Sequence, residues 1–244
     1  MTRATQEDFE HVKEFLKEYR MHALLEDKQA LNKIKSSHAK YFSALALFHE
    51  LKHQNPTPLI SSECTHTKTK TIELFWQYLE EIISELGSTL FLLANGLYKP
   101  AKLVMRSTLE NFFKITASLH SPDVYAKKST YEVIELAKQS EIFKEALEKG
   151  IFGSLHSCYV SLCKSVHTAD PENMQNISAL GYFPNINNTE LSETTKTYNL
   201  ITSNYIAILA LLFRETFHKI HYKNKDIIQS SIAKNITLKL YGNS

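Results

Sequence analysis

Six glycines and six prolines serve a chain of 244 residues, less than half of the roughly 12% that these two residues usually make up together. Sandwiches and barrels need a turn every few residues, and phosphate-cradling loops need glycine at fixed spacings. A chain this poor in both cannot readily build either. Long helices joined by a few connections remain, so the scarcity predicts an all-α fold and removes P-loop and dinucleotide-fold chemistry. Any active site then has to be assembled from side chains on helix faces.

The apolar periodicity agrees with that constraint. Residues 7–27 place Phe9, Val12, Phe15, Leu16 and Tyr19 at helical spacing, and residues 29–53 do the same with Leu31, Ile34, His38, Tyr41, Leu45 and Phe48. Asn55-Pro56-Thr57-Pro58 ends the second segment, because proline supplies no donor and disfavours helix before it. A long helix over about 70–97 stops at Asn95-Gly96, and the next runs from Pro100 to about 119. A helical region over about 121–149 is broken near Ser140 and punctuated by Gly150 and Gly153. A helix over about 154–167 precedes a long loop at 168–191, and helical periodicity returns over 193–220 and 225–240. The apolar run Ile206 to Phe213 predicts burial on every side. The reading is a single domain over 1–244, a bundle of about seven helices. Residues 1–55 form an N-terminal helical pair, 70–220 a core, and 225–240 a C-terminal helix.

Bulk composition narrows the function classes. No apolar stretch reaches the ~20 residues of a membrane span, and the polar start Met1 to Asp8 lacks the apolar core of a secretory signal. Cys64, Cys158 and Cys163 are odd in number and without paired spacing. That fits a reducing cytoplasm, with Cys158 and Cys163 as small core residues. The formal net charge of +2 hides an acidic segment at 7–27 and a basic one at 214–239. The basic segment is either a phosphate-facing surface or an ordinary solvated helix face.

His49-Glu50-Leu51-Lys52-His53 fits H-E-x-x-H, in which two histidines one turn apart hold zinc and the glutamate activates water. Lys52 sets a cation beside such a metal, Pro56 ends the helix at once, and no strand precedes it. A zinc peptidase using His49 and His53 is therefore the least favoured reading, and no cofactor or metal is expected.

A second constellation is centred on Arg106. Only four of the 28 basic residues are arginine, and Arg106 lies within the largely apolar run Leu103 to Phe113. Glu110 stands four residues on, positioned to pair with it on one helix face. Arginine is favoured where a planar fork grips carboxylate or phosphate in a partly buried place. Tyr159-x-x-Leu162-x-x-x-Val166-His167 then brings a histidine to the end of an apolar helix. A histidine beside an arginine–carboxylate pair can move protons near neutral pH. A structural salt bridge and a capping histidine are the plainer alternative.

Arg106-Ser107-Thr108-Leu109-Glu110, followed by Tyr159, Leu162, Val166 and His167, resembles a group of prokaryotic all-helical proteins similar to HEPN domains, including abortive-infection and toxin types. The resemblance covers about residues 70–220. It implies a helical bundle, homodimerisation, a possible antitoxin or defence-system partner, and in active members metal-independent cleavage of RNA. Such nucleases carry an arginine, four to six residues, then a histidine on one helix. Arg214 and His221 have that spacing, with His218 as a near neighbour, although Glu215 stands where asparagine or aspartate is usual.

RNA supplies its own nucleophile, the 2′-hydroxyl, so a base near pH 7 and a fixed cation suffice. Arg106, Glu110, His167, Arg214 and His221 are the candidate catalytic residues, with Tyr159 or Tyr182 stacking on unpaired bases. His11, His22, His38, His66, His120 and His156 show no ligand spacing and read as structural or solvated. The competing function is a non-catalytic helical interaction protein, in which the loop at 168–191 docks a partner.

Overall fold

A computed structural model describes residues 2–18, 22–61, 65–145, 150–166 and 186–242. Among these residues no strand occurs, and the chain forms twelve α-helices and one 3₁₀ turn. They are α1 (Arg3–Glu18), α2 (His22–Glu26), α3 (Lys28–Gln54), α4 (Thr65–Ala94) and α5 (Tyr98–Ala117). The 3₁₀ turn at Pro122–Ala126 leads to α6 (Thr130–Lys138), α7 (Glu141–Glu145) and α8 (Gly150–Val166). The C-terminal part is α9 (Asn188–Leu212), α10 (Arg214–Lys219), α11 (Tyr222–Gln229) and α12 (Lys234–Tyr241). The all-α expectation holds, but seven helices are too few.

Several ends are written locally. Asp27 caps α3 by accepting from the amides of Gln29 and Ala30 at 2.9 and 3.0 Å, and Asn187 caps α9 through Thr189 and Glu190. Asn55 ends α3 in the left-handed conformation, φ 44°. Gly96, φ 70°, closes α4 with paired bonds from its own amide to the Leu93 carbonyl and from Leu97 to the Leu92 carbonyl.

The extra breaks come from packing. Phe213, φ −110° and ψ 42°, separates α9 from α10 with no glycine or proline near it. Its ring stacks on Trp76 at 5.8 Å and meets Phe75 edge-on at 6.0 Å, so aromatic contacts with α4 hold the bend. Ile220, extended and buried, divides α10 from α11, and the segment expected at 225–240 is two helices.

Gly153 errs in the other direction. It was expected to punctuate, but it lies inside α8, exposed, and an added Cβ would meet nothing within 4 Å. Gly153→Ala is therefore expected to stabilise the protein by about 0.5–1 kcal/mol, seen as a higher urea midpoint at unchanged slope.

Helix α9 forms the axis of the core. It runs antiparallel to α4, where the Tyr198 hydroxyl donates to the Leu86 carbonyl at 3.1 Å. It runs parallel to α5, where Tyr205 stacks on Phe112 with ring centroids 4.0 Å apart. Residues 206–211 and Phe213 are all buried, as the unbroken apolar run predicts. The α4–α5 hairpin supplies the largest further share of core side chains, including Phe75, Leu79, Met105 and Phe113. Helix α3 closes one side, and the Ser43 hydroxyl donates to the Ile227 carbonyl of α11. Helix α8 lies against the other edge of α5, with Phe113 and Tyr159 rings 6.4 Å apart. That seam carries the candidate site.

Candidate functional site

Helix α5 buries Ala101, Met105, Leu109 and Phe112 and turns its flank towards α8. Arg106 and Glu110 stand on that flank one turn apart. The Arg106 Nε donates to Glu110 Oε1 at 3.0 Å, with 30% and 28% of the two side chains exposed. From α8 the Tyr159 hydroxyl donates to the same oxygen at 3.3 Å, and the guanidinium carbon lies 5.8 Å from the Tyr159 ring centre. One carboxylate oxygen thus gathers two donors from two helices, and the cation lies over the ring that carries one of them.

The electrostatics follow from this geometry. Burial works against the Arg106 charge, but Glu110, Cys163 and Tyr159 together outweigh it, and the guanidinium is held more firmly protonated than usual. Burial, with the side chain of Cys163 and the Glu110 charge, pushes the Tyr159 phenol up to about 12, so at neutral pH it is a donor. On the α4 side, Glu85 accepts from the Asn111 amide at 3.1 Å and hydrogen-bonds Ser107. Burial raises the Glu85 carboxyl, and the charges of Glu81 and Glu110 raise it further. An ionisable cluster with shifted protonation therefore spans α4, α5 and α8, open to solvent at Arg106.

The Arg106–Glu110 pair is as the spacing predicts. His167 and Tyr182 lie outside the described residues, as do Cys64 and most of the loop at 168–191. Helix α9 already begins at Asn188, three residues before the expected end of that loop. Cys158 is buried, but Cys163 is only half-buried, at the Tyr159 end of the seam.

Arg214 and His221 do not share a helix. Arg214 opens α10, which ends at Lys219, and both Ile220 and His221 are extended. His221 is exposed with its ring 4.4 Å from that of Tyr222, and His218 is exposed on α10. The break at Ile220 thus separates a spacing that one continuous helix would have aligned.

His49 and His53 are exposed near the end of α3. Glu50 between them accepts from Asn224 at 2.6 Å and from Gln54 at 3.4 Å, one bond to each oxygen. It works as a structural acceptor tying α3 to α11. Among the described residues, no group of three or more histidines, cysteines or acidic residues is placed to hold a metal ion. None of the described helices is long and apolar enough to cross a membrane.

Ser107, Asn111, Glu85 and Cys163 join the cluster, although none of them has a part in the site as read from the sequence. For Ser107, Asn111 and Cys163 only their seats on α5 and α8 beside Arg106 and Tyr159 carried any signal, and Glu85, on α4, carried none. Comparison with protein-family models, curated proteins and solved structures finds no match to the chain.

Proposed function

We propose that the α5–α8 seam is the phosphate-binding centre of a HEPN-like effector that cleaves RNA without metal, acting in phage defence or in a toxin–antitoxin pair. The observation that carries this reading is the anchoring of Arg106. Bound to Glu110 through Nε and lying over the Tyr159 ring, its partly exposed guanidinium has terminal nitrogens that this bond does not use and that suit a second anion. A structural salt bridge needs neither the shared tyrosine donor nor the exposed cation.

In the reaction, Arg106 holds the scissile phosphate and Glu110 fixes the guanidinium plane. Tyr159 offers a ring on which an unpaired base stacks. His167, the residue after α8, accepts the 2′-hydroxyl proton. The 2′-oxygen then bonds to phosphorus as the bond to the 5′-oxygen breaks, and the leaving oxygen takes a proton from water. The products are a 2′,3′-cyclic phosphate and a 5′-hydroxyl end.

Purified protein is expected to cut single-stranded oligoribonucleotides in EDTA and to leave cyclic phosphate ends. An oligonucleotide carrying 2′-deoxyribose at the cleaved position should resist. Cleavage that requires added divalent metal, or that cuts the deoxy substrate equally, would overturn the mechanism. A protein inert towards every RNA tested would favour the second reading, a helical interaction protein. That reading draws on Tyr222, Leu238 and Tyr241, exposed apolar residues of α11 and α12.

A further inference from the structure

Away from the α5–α8 seam, a cleft of about 700 Å³ opens where four parts of the chain meet. The segment after α3 (56–61), the turn after α5, the α6–α7 junction and the α9–α10 bend all line it. Its volume lies within the range of small-molecule sites. The walls are largely apolar, with Pro56, Leu119, Ile142 and Leu211 among them, and Leu59, 85% exposed, stands at the mouth.

The polar groups of this cleft are what set it apart. Nε of Arg214 and both ring nitrogens of His120 are buried, and no described group hydrogen-bonds them. Buried donors and acceptors are nearly always paired. Three unmet atoms on two side chains of one concave site mark a place built to be completed by a ligand.

The charges around the cleft specify the ligand further. Among the described residues, Arg214 is the one arginine or lysine in the lining. Two carboxylates, Glu141 and Glu215, also line it, both on exposed residues, and Glu141 is already paired with Lys144 at 2.5 Å. A single inner cation behind acidic side chains attracts one negative charge and repels several. Burial holds the His120 imidazole below its usual pKa, so in its neutral form it donates at one nitrogen and accepts at the other.

We propose that this cleft binds an amphipathic monocarboxylate, its carboxylate on Arg214 and His120 and its hydrocarbon body along the Pro56–Leu119–Ile142 wall. The site is separate from the Arg106 cluster and holds whether or not the protein cleaves RNA. Polyphosphates are disfavoured by the acidic side chains of the lining. The bend at Phe213 gains a use here, because it places Arg214 at the cleft.

Octanoate and benzoate, titrated calorimetrically into the full chain at neutral pH, test the proposal. Saturable binding of one octanoate per chain is expected. Octanol, of equal length but uncharged, should bind about tenfold more weakly or worse, and ATP should compete poorly. Benzoate binding as tightly as octanoate would assign the body as aromatic, and weaker binding as alkyl; both are monocarboxylates. Arg214→Gln should weaken octanoate about tenfold or more. Glu215→Gln should strengthen it and Leu59→Glu should weaken it, and both positions are exposed, so these variants fold if the first does not. Octanol matching octanoate, no saturable binding, or unchanged affinity in Glu215→Gln and Leu59→Glu together would overturn the assignment.

Discussion

Arg106→Ala is expected to lower RNA cleavage by about 10²–10³-fold, the usual loss when a preorganised charge partner of the reacting group is removed. The same change should hardly touch the fold. Arg106 and Glu110 each keep roughly 30% of the side chain in solvent and pair within one helix, and a pair that solvent still screens contributes about 0–1 kcal/mol. For a chain of this size that is a shift of no more than about 2–4 °C in melting temperature. A large loss of rate with a small loss of stability separates a functional arginine from a structural one. Arg106→Lys sharpens the test, because lysine keeps the charge but has no Nε to anchor on Glu110, and an intermediate loss of about tenfold is expected. His167→Ala should cost about 10²–10⁴-fold as the loss of a general base. Oligoribonucleotide cleavage in EDTA, measured beside thermal melts of each variant, reads both quantities. A full rate in Arg106→Ala at an unchanged melting temperature would remove Arg106 from the reaction.

What the sequence could and could not disclose follows from the range over which each feature is encoded. The Gly96 stop, the Asn55-Pro56 end and the buried run at 206–211 are written within a turn or two of themselves. So is the Arg106–Glu110 pair, because a spacing of four fixes a shared helix face. Tyr159 reaches Glu110 across 49 residues, and Glu85 reaches Asn111 only because the α4–α5 hairpin folds back. The bend at Phe213 has no local mark at all. It exists because Trp76 and Phe75 stand where the ring can stack, and Arg214 follows it directly into the lining that His120 shares, while the separate break at Ile220 takes His221 off the helix of Arg214. The spacing of Arg214 and His221 therefore misled for the same reason that His120 looked inert: both depend on where the chain bends, and bends made by tertiary packing leave no periodic signal. Gly153 misled through composition, since an exposed glycine is tolerated inside a helix at a cost that α8 absorbs.

The largest expected effect on stability lies at Tyr205. Its side chain is 1% exposed and stacked on Phe112, and its hydroxyl donates to Thr108 Oγ1 at 3.2 Å. Tyr205→Ala removes a whole ring from the contact between α9 and α5 and leaves a cavity that neighbouring helices cannot close without shifting. A loss of about 3–5 kcal/mol is expected, or roughly 10 °C in melting temperature. The polar end of the ring contributes little of this. In Tyr205→Phe the Thr108 hydroxyl still donates to the Met105 carbonyl at 2.7 Å, so no buried donor is stranded and about 0.5–1.5 kcal/mol is lost. Thr108→Val reverses the roles, because the Tyr205 hydroxyl then has no acceptor in a buried place, and about 1–3 kcal/mol should be lost. The expected order, Tyr205→Ala worst, then Thr108→Val, then Tyr205→Phe, is read from urea midpoints at constant slope. Tyr205→Phe proving as costly as Tyr205→Ala would place the stabilisation in the hydrogen bond instead of the stacked ring, and with it the reason α9 is held at the centre of the bundle.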